Sequence, residues 1–276
     1  MPIMFNSILT AHGIDSRVVR HLRHQARSER GALSPYRLWR DDRTTFELYQ
    51  SLQRPARRAE LQPAVYFATW LVPSPGATLF GGLYHAHWIG PTTVDVALPG
   101  RTIEAGSYDR YECTRHREME DLIGRLLIDW GPGLRSWIQR ADLQDKPVVE
   151  LRATFEEDPF PGYVAFIEPL SRLETLPRGW EAALRSARGV YLLTCPQTRE
   201  QYVGSATGAA GFWGRWLDYL QDGHGGNISL RSRDPSDYQV SILEVAGSAM
   251  TTEDILRAEA RWKQKLQSRE MGLNRN

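Results

Sequence analysis

The sequence predicts an α+β protein in two parts, and three observations carry that prediction. Short β-branched and aromatic runs, punctuated by Pro and Gly, dominate residues 65–97 and recur after residue 148. Helical spacing of apolar residues returns at 115–128 and again near the C-terminus. The last third orders its patterns as strand, strand, helix, strand, helix. A hydrophobic content of 41% with 24% charged and 10% aromatic residues belongs to an ordinary globular chain and excludes collagen-like, disordered and coiled-coil classes. At 276 residues, surface scaling buries roughly 70–75% of the unfolded area, enough for a sizeable core and for two domains.

Taken in order, residues 5–28 read as two helical pieces around His12-Gly13, and residues 31–62 as mixed, broken by Pro35 and Pro55. These form a basic helical region, 1–62. Strands follow at 65–71, 78–84 and 93–97, a helix at 115–128 through Met119, Leu122, Ile123 and Leu126, and strands at 148–154 and 163–167. With a short helix at 179–186 they make a β-rich mixed region, 63–186. Beyond a boundary near 186 come strands at 189–194 and 201–204, a helix at 212–220, a strand at 238–245 and an amphipathic helix at 253–267.

No apolar run approaches the ~18–20 residues of a spanning helix. The start of the chain lacks the basic and apolar segments of a signal peptide, so a soluble, cytoplasmic protein without membrane contact is expected. Two cysteines, Cys113 and Cys195, make no disulfide framework. The net charge of +1 hides an asymmetry: residues 1–60 carry 11 basic and 6 acidic side chains, residues 61–186 carry 12 and 17. A basic end suits a polyanionic partner. Arginine supplies all but three of the basic residues, which suits bidentate phosphate contacts and is equally what GC-rich codon usage produces. Arg20, Arg23, Arg27 and Arg30 stand at i, i+3, i+7 and i+10, one stripe on a helix, suited to a phosphate track or to a solvated face. SILTAHGIDSRVVRHLRH has the pattern of a helix–turn–helix. Tyr66, Phe67, Trp70, Tyr84 and Trp88 are either core or the lining of a pocket for a flipped base. His85, His87, Cys113 and His116 are zinc-ligand types, but their spacing matches no zinc module and no zinc is expected.

The most informative residues lie at 187–276. Gly189-Val190-Tyr191 on one strand is followed, eleven residues after Tyr191, by Tyr202-Val203-Gly204 on the next. Arg215 falls in the following helix, Glu259 in RAEARWKQKL and Asn274 in GLNRN. In this order and spacing the segment resembles the GIY-YIG nuclease family, homing and restriction types above all. The resemblance implies a β-β-α-β-α nuclease domain behind an N-terminal recognition region. It implies Glu259 as the ligand of Mg²⁺, for which Mn²⁺ substitutes, and Tyr191 as general base or orienter of the nucleophile. Asn274 is expected to orient the glutamate or to contact phosphate.

Residue chemistry agrees. Phosphodiester hydrolysis needs an activated water, neutralised phosphate charge and a stabilised leaving oxygen. A single carboxylate holds a hard cation that keeps most of its waters. Arg215 brings a guanidinium fork to the non-bridging oxygens, and Tyr191 and Tyr202 bring hydroxyls. Individually these residues have plain readings too: strand tyrosines pack, and Glu259 pairs with Lys263 at i+4. Where many family members carry histidine this chain has Tyr219, a proton-transfer or phosphate contact or a packing residue. His224, in DGHGGN, lies near the expected cleft or in a tight turn. The expected activity is a divalent-metal-dependent DNA endonuclease of restriction or phage-defence type, its target set by the N-terminal region, acting on double-stranded DNA as a homodimer or by two sequential nicks, with an RNA target also open. The rivals are a structure-specific repair or recombination nuclease and a catalytically inactive DNA-binding protein.

Overall fold

The computed structural model describes residues 2–25, 34–73, 78–132, 136–222 and 238–274. The chain divides into two compact units, Met1–Glu156 and Glu157–Asn276.

Among the described residues the first unit is built on ten strands: β1 (Val19–His24), β2 (Leu52–Gln53), β3 (Tyr66–Leu71), β4 (Thr78–Pro91), β5 (Val96–Leu98), β6 (Arg101–Ile103), β7 (Asp109–Arg115), β8 (Leu126–Ile128), β9 (Ile138–Arg140) and β10 (Val148–Leu151). Its helices are α1 (Phe5–Ala11), α2 (Pro35–Asp41), α3 (Arg43–Ser51) and α4 (Arg58–Leu61). The main sheet runs β10-β8-β4-β3-β1-β9, with β7 joined to β4 and β2 to β7. β1 pairs parallel with β3, so residues expected to form a separate helical region are an inner strand of the same sheet as residues 63–156.

The second half of the expected helix 5–28 is therefore a strand. All six residues of β1 are buried. A strand covered on both faces loses the polar–apolar alternation by which strands are recognised, and VRHLRH keeps only an arginine spacing that imitates a helix. Arg20 and Arg23 are correspondingly not on a basic stripe. Arg20 is buried and donates from Nε to the Glu60 carbonyl (2.9 Å) and from a terminal nitrogen to the Arg17 carbonyl (3.1 Å). Arg23, also buried, lies with its guanidinium carbon 5.5 Å from the Trp130 ring centroid. Arg27 and Arg30 lie outside the described residues.

Of the aromatic run, Phe67, Trp70 and Tyr84 are fully buried core, and Tyr66 and Trp88 are partly buried against it. The helix expected at 115–128 is a 3₁₀ segment, Arg117–Leu122, followed by β8. Gly124 breaks it, with φ +74° and its N–H donated to the Phe80 carbonyl (2.9 Å). His85 and His116 stack at 5.3 Å. Among the described residues no group of three or more His, Cys, Asp or Glu side chains is placed to hold a metal ion, and no helix is long and apolar enough to cross a membrane.

Two histidines of β1 give this unit a pH dependence. Burial pushes His21 down to about 3 and His24 down to about 4 from an ordinary 6.5. Both are neutral in the fold and take up protons once unfolded. Their stabilising contribution is therefore complete above about pH 6.5 and is lost as pH falls towards those depressed values. Denaturant titrations across this interval are expected to show stability falling with acidification, and His24→Phe to flatten the slope. An undiminished slope in the variant would refute the assignment to His24.

The second unit holds β11 (Ile167–Pro169), α5 (Arg178–Ser186), β12 (Gly189–Thr194), β13 (Gln201–Ala206), α6 (Gly211–Asp222), β14 (Gln239–Val245) and α7 (Thr252–Lys265). Its sheet is ordered β11-β14-β12-β13, leaving β13 at an edge. This unit begins earlier than the expected boundary near 186 because Phe166, Leu170, Leu173 and Leu184 are buried in one core with Trp213 and Trp216. Phe166 stacks on Trp216 at 5.4 Å. Strand alternation then divides the sheet's two faces. Tyr191 and Leu193 of β12 pack towards α6, and Val190 towards Ile255 and Ala258 of α7. A capping box between Thr251 and Asp254 starts α7, with Lys263 and Lys265 in its last turn.

Candidate active site

The two glycines of the paired motifs have packing reasons. Gly189 has φ +152°, and a Cβ there would strike the Glu244 carbonyl oxygen. Gly204 faces Tyr191 across the β12–β13 pair. A Cβ on Gly204 would meet the Tyr191 hydroxyl and ring carbon at 2.5 and 2.6 Å. The absent side chain is the space in which the Tyr191 phenol lies.

That phenol is the centre of a hydrogen-bonded group. Its hydroxyl is 2.8 Å from that of Tyr219 and accepts from Arg215 Nε at 3.2 Å. Arg215 and Tyr219 stand one turn apart on α6, and the guanidinium carbon is 5.2 Å from the Tyr219 ring centroid. Tyr202 adjoins the group on the same face, within its electrostatic reach. Burial drives the Tyr191 hydroxyl well above the ordinary phenol range, opposed by the Arg215 charge; burial raises Tyr219 further, reinforced by Tyr191 and Tyr202. Both are neutral phenols at neutral pH. Arg215 donates to the Tyr191 oxygen and so polarises its O–H, which makes Tyr191 the better hydrogen-bond donor of the two.

Glu259 lies on the opposite face of the sheet, on α7. The Ser205 hydroxyl donates to one carboxylate oxygen, and Lys263 Nζ is 2.8 Å from the other. Successive residues of β13 point to opposite faces. The edge strand thereby carries Tyr202 and Gly204 on the tyrosine–arginine side and Ser205 on the carboxylate side. Glu259 has no hydrogen bond or ion pair to Tyr191, Tyr202, Tyr219 or Arg215 among the described residues.

Asn274 is held against the edge of β13. It is 1% exposed, accepts from Val203 N–H at 2.9 Å and donates to the Val203 carbonyl at 2.8 Å, so its amide acts as a further strand along the edge of β13. The Ser268 hydroxyl donates to the same amide oxygen at 2.6 Å. Its polar contacts fix the backbone between Tyr202 and Gly204, with none to Glu259. Asn274→Ala strips both partners from a buried peptide unit, and a stability loss of about 2–4 kcal/mol is expected in urea titration; a change below about 0.5 kcal/mol would show that the edge is held by other contacts. His224 lies outside the described residues. Ser205 was not foreseen. Its signal is the alternation itself, since the residue after Tyr-Val-Gly must face the helix that carries Glu259.

No protein-family model matches the chain, and no curated protein matches it. Among solved structures it is similar to the catalytic domain of the homing endonuclease I-TevI, at 27% identity over 32% of this chain and 96% of that one, with a TM-score of 0.27. A point mutant of the catalytic domain of intron endonuclease I-TevI gives 25% identity over 33% of this chain and 94% of that one, with the same TM-score of 0.27.

Proposed function

We propose that the second unit is a divalent-metal-dependent DNA endonuclease, acting in restriction or phage defence as the resemblance of its motifs implies. The observation that carries the reading is the hydrogen-bonded Tyr191–Arg215–Tyr219 group set across edge strand β13 from a largely buried Glu259. Hard oxygen donors, the Glu259 carboxylate and the Ser205 hydroxyl, fit Mg²⁺ or Mn²⁺, ions that retain most of their waters. Glu259 is the residue proposed to hold the ion. When bound, such an ion supplies Lewis-acid polarisation of the phosphate and lowers the pKa of water.

The chain's own residues do the rest. Arg215 is permanently charged and half-buried, so it meets the non-bridging phosphate oxygens with little competing solvent. Tyr191, held neutral by burial and oriented by Arg215 and Tyr219, directs the attacking water or a phosphate oxygen through its hydroxyl. Tyr202 contributes a second hydroxyl from the edge strand. Asn274 acts on these groups through the β13 backbone. Two cuts in a duplex come either from two such sites in a homodimer on DNA or from two sequential nicks by one site.

The test is cleavage of unmodified, methylated and hydroxymethylated plasmid and of a branched duplex, with Mg²⁺, Mn²⁺ or EDTA. Cutting that needs the metal is expected. Preference for the branched duplex would replace the defence role with repair or recombination, and binding of every substrate without cutting would overturn the enzyme reading.

A further inference from the structure

Lys263 is left without a role by the reading above. It stands one turn after Glu259 on α7, with its side chain 6% exposed against 12% for the carboxylate, and the two are 2.8 Å apart. Other charge pairs on the same helix are solvent-exposed: Arg257 with Glu253 and with Asp254 has 66% of its side chain in water. Such pairs are worth little. A lysine as buried as Lys263 is seldom found without a partner, and the ammonium is a compact point charge, unlike a guanidinium fork. It stands on Oε1 while Ser205 stands on Oε2. Both oxygens of the carboxylate already have a donor within the chain itself.

We propose that Lys263 is the resident counter-ion of Glu259 and tunes its affinity for a divalent cation. With no metal bound, Lys263 holds a largely buried carboxylate in place. With a cation on Glu259, Lys263 is a like charge about one ammonium–carboxylate distance away, and it weakens binding. A substrate phosphate brings the negative charge that lets both cations share the site, so metal retention is tied to occupied DNA. This deepens the metal reading of Glu259 and rests on it. Lys263 is a positioning residue, acting through the carboxylate.

The experiment is Mn²⁺ binding to the full chain without DNA, read from the electron-paramagnetic-resonance signal of the free ion, with thermal unfolding in parallel. Lys263→Met is expected to bind Mn²⁺ about tenfold tighter than wild type or better, and Lys263→Arg, which keeps the charge, to bind like wild type. Lys263→Gln retains a donor for Oε1 and serves if the methionine variant unfolds; it too is expected to bind more tightly. Folded Lys263→Met or Lys263→Gln with unchanged or weaker affinity, beside a wild type whose binding is lost in Glu259→Gln, would overturn the role of Lys263 alone. Binding that survives in Glu259→Gln, or is missing from wild type and both neutral variants, would overturn the metal reading with it.

Discussion

Glu259→Gln is expected to reduce DNA cleavage by ~10³-fold or more while DNA binding changes by less than about threefold. The amide keeps the shape of the side chain and its hydrogen bond with Ser205, and removes the charge that a hard cation requires. It also removes the carboxylate charge beside the buried Lys263 ammonium. Breaking one partner of a buried pair is destabilising by up to about 3–5 kcal/mol, so the variant must be compared at matched folded fraction. Glu259→Gln/Lys263→Met removes both charges together. It is expected to regain much of the stability and none of the cleavage. Cleavage restored along with stability would show that Glu259 serves the fold, and parallel loss of DNA binding and cutting in the single variant would count against a metal ligand.

Tyr191→Phe is expected to cost ~10²–10⁴-fold in cleavage, the usual range for a group that handles a proton or orients the nucleophile. The ring stays where Phe212 and Trp216 hold it, with centroids at 6.5 and 5.9 Å. What is lost is one oxygen, the partner of both Arg215 and Tyr219. Tyr219→Phe removes a hydroxyl that acts through Tyr191 and is expected to cost less, about tenfold. Equal losses would place Tyr219 at the phosphate itself. A second signature is alkaline. Burial raises the Tyr191 and Tyr219 pKa values above that of an unfolded phenol near 10. The neutral phenols therefore stabilise the fold fully below that pH, and the contribution is lost as pH rises towards the raised folded values. Stability of the wild type should fall above about pH 10, and more shallowly in Tyr191→Phe; parallel profiles would place the alkaline transition elsewhere.

Much of the second unit was legible in the chain. Strand 189–194 has the bounds expected of it, and β13, α6, β14 and α7 differ from their expected limits by a few residues. The reason is that α7 exposes one face and buries the other, so burial writes its period into the sequence, while β12 and β13 are marked by β-branched and aromatic runs between turn residues. The glycines of the paired motifs are legible for a local reason as well: one needs positive φ, the other leaves room for a phenol. Tyr191 and Arg215 were chosen from motif order, and the fold brings them into hydrogen-bond contact.

The first unit was less legible because its inner strand β1 fills buried positions with charged and polar side chains. VRHLRH at β1 buries two arginines and two histidines, and no periodicity distinguishes it from a helix. Its identity is decided by parallel pairing with residues 66–71 far along the chain, which no local window contains. The same physics separates the parts of the site. The sequence by itself determined which residue types stand on which strand or helix, through local alternation and glycine stereochemistry. The tertiary structure alone decided that Asn274 binds the edge of β13, that Ser205 meets Glu259, and that an ion pair expected on a helix surface is buried against the carboxylate proposed to hold the metal. Those contacts join residues brought together by burial of two sheet faces, and desolvation at that junction sets their energies.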